Sequence, residues 1–237
     1  TIVTIILILW ILAHLKTSRP DGALLANIHP YRRLMSYIMP KRNESIVYFD
    51  IYVPADKLLS YLKAAKEKVD IDITHCLVAA CGMMMIKNPQ INRFISGRRL
   101  YQREKVAVTF SMMRKKLDKK SKLTAVKLEV DKNATFKELC ETIHSKINYE
   151  RSDVKTSADK EFNLLNLLPR PLLNLAINFA KLLDYFNLLP ANFIKNDGMF
   201  TGMFVANLGS LGIDAGYHHL YEWGNCSSFC MASKIYD

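Results

Sequence analysis

Residues 72–89, DITHCLVAACGMMMIKNP, put small and apolar side chains on every side of a helical wheel until Asn88-Pro89 stops the turn, with Thr74 as the expected N-cap. A helix with no polar face has to be covered all round. The stretch therefore demands layers above and below it, which a short or open chain cannot supply. With 237 residues, half of them hydrophobic, the chain is long enough for one large core.

The surrounding segments supply those layers. IHPYRRLMSYIM (28–39) has the spacing of a short amphipathic helix, and SIVYFDIYVP (45–54), rich in β-branched and aromatic residues and ended by Pro54, reads as a strand. ADKLLSYLKAAKEKV (55–69) returns to helical period. GRRLYQREKVAVTFSMM (97–113) and KLTAVKLEV (122–130) read as strands of a hairpin, joined by a basic loop within MMRKKLDKKSKL (112–123). TFKELCETIHSKINYERSD (135–153) is a capped amphipathic helix, and the apolar run 162–190 is broken by Pro169 and Pro171 into two helices. Asn163, Asn166, Asn174, Asn178 and Asn187, with Arg170, Lys181 and Asp184, argue against burying that run in lipid. Strands and helices alternate without a regular βαβ rhythm. The expected fold is α/β of the α+β type: a mixed, largely antiparallel sheet with helices packed on one face.

The formal charge of +11 suits an anionic surface, but no basic and aromatic interleaving or recognition helix accompanies it, so no nucleic-acid partner is expected. No zinc pattern, phosphate-binding loop or dinucleotide fingerprint occurs, and no metal site is expected. Five cysteines without a small-domain framework point to a reduced, cytoplasmic setting.

TIVTIILILWILAHL (1–15) has no formally charged side chain and runs into KTSRP. As a helix it reaches about 22 Å, short of the ~30 Å hydrocarbon core. It reads as a membrane-anchor helix over 1–18, incomplete as it stands, with Lys16 and Arg19 on the cytoplasmic side. A signal-peptide core and a buried helix are the competing readings; no small-residue cleavage site follows the run, and it is apolar on every face. Residues 19–237 are expected to form the globular domain.

The order of these pieces resembles the chloramphenicol acetyltransferase-like fold, specifically the acyltransferase catalytic core of 2-oxoacid dehydrogenase complexes. The resemblance is carried by HPYRRLMSYIMPKRNESIVYFDIYV, by THCLVAACGMMMIKNPQINRFISGRRLYQREKVAVTFSM, by FVANLGSLGI and by YHHLYEWGNCSSFCMASKIYD. It implies transfer of an acyl group between coenzyme A and a thiol or hydroxyl acceptor, and assembly as a homotrimer or within a larger complex.

Such a transfer needs a base for the attacking thiol or hydroxyl and a donor for the oxyanion. The resemblance implies the base in a His-x-x-x-Asp-Gly motif, expected beyond Asp237, since none of the six histidines lies in that pattern. It places Ala206 where the family carries a serine facing the oxyanion, with Asn207, Gly209 and Ser210 beside it. Thr201, Asn207 or Ser210 are the stand-ins, although strand alternation turns Asn207 away from Ala206. Asn207 and Gly209 also have a structural reading as the turn after the strand. Arg32 and Arg33 are candidate ligand-binding residues for an acidic partner or a phosphate of coenzyme A. His218 and His219 have the spacing of a turn rather than of a ligand set. Two readings stand: a membrane-anchored acyltransferase, or an inactive scaffold subunit marked by Ala206.

Overall fold

The structure is a computed structural model that describes residues 2–113, 123–152 and 165–236. In chain order its elements are α1 (Ile2–Leu15), β1 (Gly22–Leu24), α2 (Pro30–Ile38), α3 (Asp56–Ala65), α4 (Ile73–Lys87), β2 (Arg93–Ser96), β3 (Arg99–Arg103), β4 (Val106–Met113), β5 (Leu123–Val130), α5 (Phe136–Arg151), α6 (Arg170–Tyr185), α7 (Ala191–Asn196), β6 (Met203–Asn207) and β7 (Ser228–Ala232). They form an α/β structure that divides into two compact units.

One unit comprises Thr1–Pro40, Arg93–Glu104 and Lys155–Asp197. Its sheet has the order β1-β3-β2, antiparallel throughout. Arg19 lies at its centre with its side chain sealed from solvent. The guanidinium donates to Asp21 Oδ1 at 2.9 Å, Asp184 Oδ1 at 2.8 Å, Ser96 Oγ at 2.6 Å and Asn187 Oδ1 at 3.1 Å. The rings of Phe94 and Tyr101 flank it at 5.4 and 5.9 Å. Burial works against the Arg19 charge, but the ion pairs with Asp21 and Asp184 outweigh it and raise the guanidinium's pKa. Asn187 adds a second link, donating to the Tyr101 hydroxyl at 2.9 Å and to the Lys16 carbonyl at 3.1 Å.

The other unit comprises Lys41–Asn92, Lys105–Val154 and Gly198–Asp237. Its sheet has the order β5-β4-β6-β7. The hairpin β4-β5 is antiparallel, whereas β4-β6 and β6-β7 are parallel. The single mixed, largely antiparallel sheet expected is thus corrected to two sheets, one antiparallel throughout and one mixed, in which both pairings of β6 are parallel. Val108, Phe110, Val126, Leu128, Met203 and Val205 turn one face of this sheet onto α4 and α5, which answer with Val78, Cys81, Met85, Leu139 and Ile143. Each such fully buried aliphatic or aromatic side chain contributes about 1.5–3 kcal/mol. The helix expected to be covered all round is covered on its sheet side only: Val78, Cys81 and Met85 are buried, whereas Ala80 and Met83 stay exposed.

Local signals account for most boundaries. Thr135 and Glu138 form the capping box that starts α5. Pro169 and Pro171 stand at the start of α6, where a missing N–H is harmless; residues 165–166 before them are helical, so the run is interrupted at the prolines as expected. The N-cap of α4 is Asp72 and not Thr74: the Asp72 carboxylate accepts from the His75 backbone N–H at 3.2 Å. The stretch 97–113 breaks at Glu104-Lys105 into β3 and β4, which belong to different sheets. The basic loop 114–122 lies outside the described residues.

The strand expected over 45–54 is not one. No described strand lies beside it to take its backbone hydrogen bonds, and Val47, Phe49, Ile51, Tyr52 and Val53 are exposed at 72–88%. Side chains hold it instead, with Tyr217 donating to Asp50 at 2.6 Å and stacking edge-on to Tyr48 at 5.4 Å. No described helix is long and apolar enough to cross a membrane. At fourteen residues, α1 has none of its side chains buried.

Candidate functional site at the end of strand β6

The carboxyl end of β6 runs Val205-Ala206-Asn207-Leu208-Gly209-Ser210 and meets the first turn of α4. Asn207 makes the join. Its Nδ2 donates to Thr74 Oγ1 at 3.1 Å, while its Oδ1 accepts from the Ser210 backbone N–H at 3.2 Å. The Ser210 hydroxyl donates back to the Asn207 carbonyl at 2.8 Å. Gly209 is needed for approach rather than for a left-handed turn, because a Cβ there would run into the Ser233 carbonyl. The positive φ of the following turn, 73°, falls at Gly212.

Alternation and register divide the site residues between two faces. Met203, Val205 and Asn207 face α4, together with Cys230 of β7, while Phe204 and Ala206 face away from it with Phe229 and Met231. Ala206 is 6% exposed. On its face Phe229 stacks on Phe204 at 5.0 Å, and the His218 ring stacks on Phe229 at 4.5 Å and 16°. His218 is thus brought to the sheet face that carries Ala206.

Of the stand-ins for the absent serine, Thr201 is fully buried and its hydroxyl donates to the Ala107 carbonyl at 2.9 Å. Asn207 and Ser210 are committed to the turn just described. Arg32 and Arg33 are exposed on α2, in the unit that contains Arg19.

Two constellations escape a linear reading. The first is Asp72 and His75, whose Oδ1 and Nδ1 lie 2.8 Å apart across the first turn of α4. Partial burial would raise the Asp72 pKa, but the hydrogen bonds from His75 prevail and hold its carboxyl at about 2. His75 Nδ1 also lies 3.2 Å from the Asp72 backbone N–H, and Nε2 is buried without a hydrogen-bond partner among the described residues. This is a carboxylate-oriented imidazole, but its open nitrogen points into the protein, beside the ring of His144 at 4.9 Å. The Asp-x-x-His spacing at a helix start was the sequence signal for it. The second is Cys81 on α4 with Cys230 on β7, whose thiols share a hydrogen bond that holds Cys230 at about 7 and pushes Cys81 up. No sequence spacing announces a pair 149 residues apart.

No protein-family model matches the chain, and no curated protein is similar to it in sequence. In three dimensions it is similar to catalytic cores of 2-oxoacid dehydrogenase acyltransferases. A truncated catalytic core of the 2-oxoacid dehydrogenase multienzyme complex from Thermoplasma acidophilum is 14% identical over 90% of this chain and 81% of its own, with a TM-score of 0.49. A probable dihydrolipoamide acetyltransferase from Listeria monocytogenes is 12% identical over 85% and 70%, TM-score 0.47. Dihydrolipoamide acetyltransferase from Azotobacter vinelandii is 13% identical over 82% and 68%, TM-score 0.44. At these values the likenesses assign no residue of this chain a role.

Proposed function

We propose that the chain is an acyltransferase-like protein that moves an acyl group between coenzyme A and a thiol or hydroxyl acceptor, with the end of β6 as the floor of its site. The observation that carries this reading is the Asn207 bridge, which pins the FVANLGSLGI strand end to α4 and gives a rigid platform where the sequence resemblance implies acyl transfer. A platform fixed in advance is what electrostatic stabilisation of an oxyanion requires. His218 is the base candidate among the described residues, since it shares a sheet face with Ala206.

A second reading, an inactive scaffold or assembly subunit, is favoured by one specific feature. Ala206 offers a methyl group where a hydroxyl donor is expected, and the nearby hydroxyls of Thr201 and Ser210 already donate to backbone carbonyls. Turnover of acetyl-coenzyme A with dihydrolipoamide as acceptor separates the two. The acyltransferase reading expects release of coenzyme A that rises by up to roughly 100-fold in Ala206→Ser. No release from either protein would leave the scaffold.

In both readings we place the chain in a homotrimer or larger assembly and at a membrane surface. The exposed and uniformly apolar helix α1 supports an anchor, and the net charge of +11 would draw the cytoplasmic domain to anionic lipid. Sedimentation with phosphatidylserine vesicles tests this: removing residues 2–15 should abolish co-sedimentation, and unchanged co-sedimentation would refute it.

A further inference from the structure

Between α3 and the start of α5 lies a slot of about 430 Å³, within the size range of small-molecule sites. It stays open because the side chains facing it are small: Ala64 and Ala65 on α3 and the Cys140 thiol on α5. Its floor is apolar and fixed, since Ile71 and Cys140 are buried and pack in one cluster with Leu62. Tyr61 and Phe136 line it as well, their rings 6.3 Å apart.

The two charged side chains that line the slot are both cationic, while Asp72 and Glu141 lie near enough to act on the Cys140 thiol. Lys68 and Lys137 are among its lining residues, and no acidic side chain is. Lys137 makes only a long 3.9 Å contact with Glu141 in solvent, of a kind that contributes little. It also sits in the first turn of α5, where the helix dipole adds to the positive potential. An apolar floor, an aromatic pair and two ammonium groups together describe the complement of an amphiphile with one anionic head.

We infer that the α3–α5 slot is a binding site for an amphipathic carboxylate of medium chain length, its tail between Ala64, Ala65 and Phe136 and its head at Lys68 and Lys137. This site is separate from the β6 platform and does not rest on the acyl-transfer reading. A bound carboxylate replaces part of the hydration of the two ammonium groups with charge-assisted hydrogen bonds while its tail leaves water.

Titration of the full chain with sodium dodecanoate below its micelle concentration, followed by methyl NMR, is the test. Binding should saturate with a Kd of about 10 µM and shift the methyl resonances of Ala64, Ala65, Val69 and Ile71. Dodecyltrimethylammonium, with the same tail and the opposite charge, should bind at least roughly tenfold more weakly, and the Lys68→Glu/Lys137→Glu double variant should reverse that order. These surface changes leave the core intact, so they remain informative if the slot-filling variant Ala65→Trp fails to fold; where it folds, binding should be lost. No saturation up to about 1 mM would overturn the proposal. So would shifts confined to the methyls of α1, or equal affinity for the two amphiphiles.

Discussion

The two units solve the same problem with opposite chemistry. The unit built around Arg19 is centred on a buried guanidinium that is held by two carboxylates, a hydroxyl and an amide. The unit built around α4 is centred on a dry apolar cluster of sheet and helix side chains. A dry cluster degrades in proportion to the volume removed, because neighbours relax into part of each gap. A buried ion network fails at one step, because removing one partner leaves a charge without compensation in a low-dielectric interior. Small changes should therefore be tolerated in the second unit and not in the first.

The largest effect expected is from Phe110→Ala, which empties the middle of the apolar cluster and should lower stability by about 3–5 kcal/mol in urea unfolding. Asp184→Asn removes a single charge and almost no volume, yet should lower it by about 3 kcal/mol because Arg19 remains buried. A loss below about 1 kcal/mol for Asp184→Asn would erase the contrast between the units. Thr135→Ala, at the N-cap of α5, should lower stability by about 1 kcal/mol.

The smallest effect is set by pH. The Asp72 carboxyl titrates at about 2 in the folded chain and near 4 when unfolded, so its contribution is complete above the unfolded value and disappears as pH falls through the folded one. With its side chain 57% exposed, that contribution is at most about 1 kcal/mol. Comparing the acid-unfolding curves of wild type and Asp72→Asn measures it: the two should converge below about pH 2 and separate above about pH 4. Separation that grows toward low pH would contradict the assignment.

The contrast between the units also explains what could be read from the sequence. Apolar clusters leave a periodic trace, and the α4 and α5 patterns and the β4-β5 hairpin were legible from it, whereas α2 was legible from its period although most of its apolar side chains are exposed. The Thr135/Glu138 capping box is local and visible in the same way. The Arg19 network leaves no trace, because Arg19 and Asp184 lie 165 residues apart and neither is marked by its neighbours. For the same reason Asn207 was legible as a turn residue, but its bond to Thr74, across 133 residues, was not. The run 45–54 misled because strand propensity describes what a segment can pair with, and no described strand pairs with it. Asp72 displaced Thr74 as a cap because its carboxylate reaches both the backbone and the ring of His75.

The central claim is that the platform at the end of β6 serves a coenzyme A thioester. Isothermal titration of the full chain with acetyl-coenzyme A tests it most directly, with Asn207→Ala as the control that releases the platform from α4. The account predicts saturable binding to the wild type at micromolar to sub-millimolar affinity, weakened about tenfold in Asn207→Ala without loss of fold. Absence of any binding heat at millimolar ligand, or binding that Asn207→Ala leaves unchanged, would contradict it.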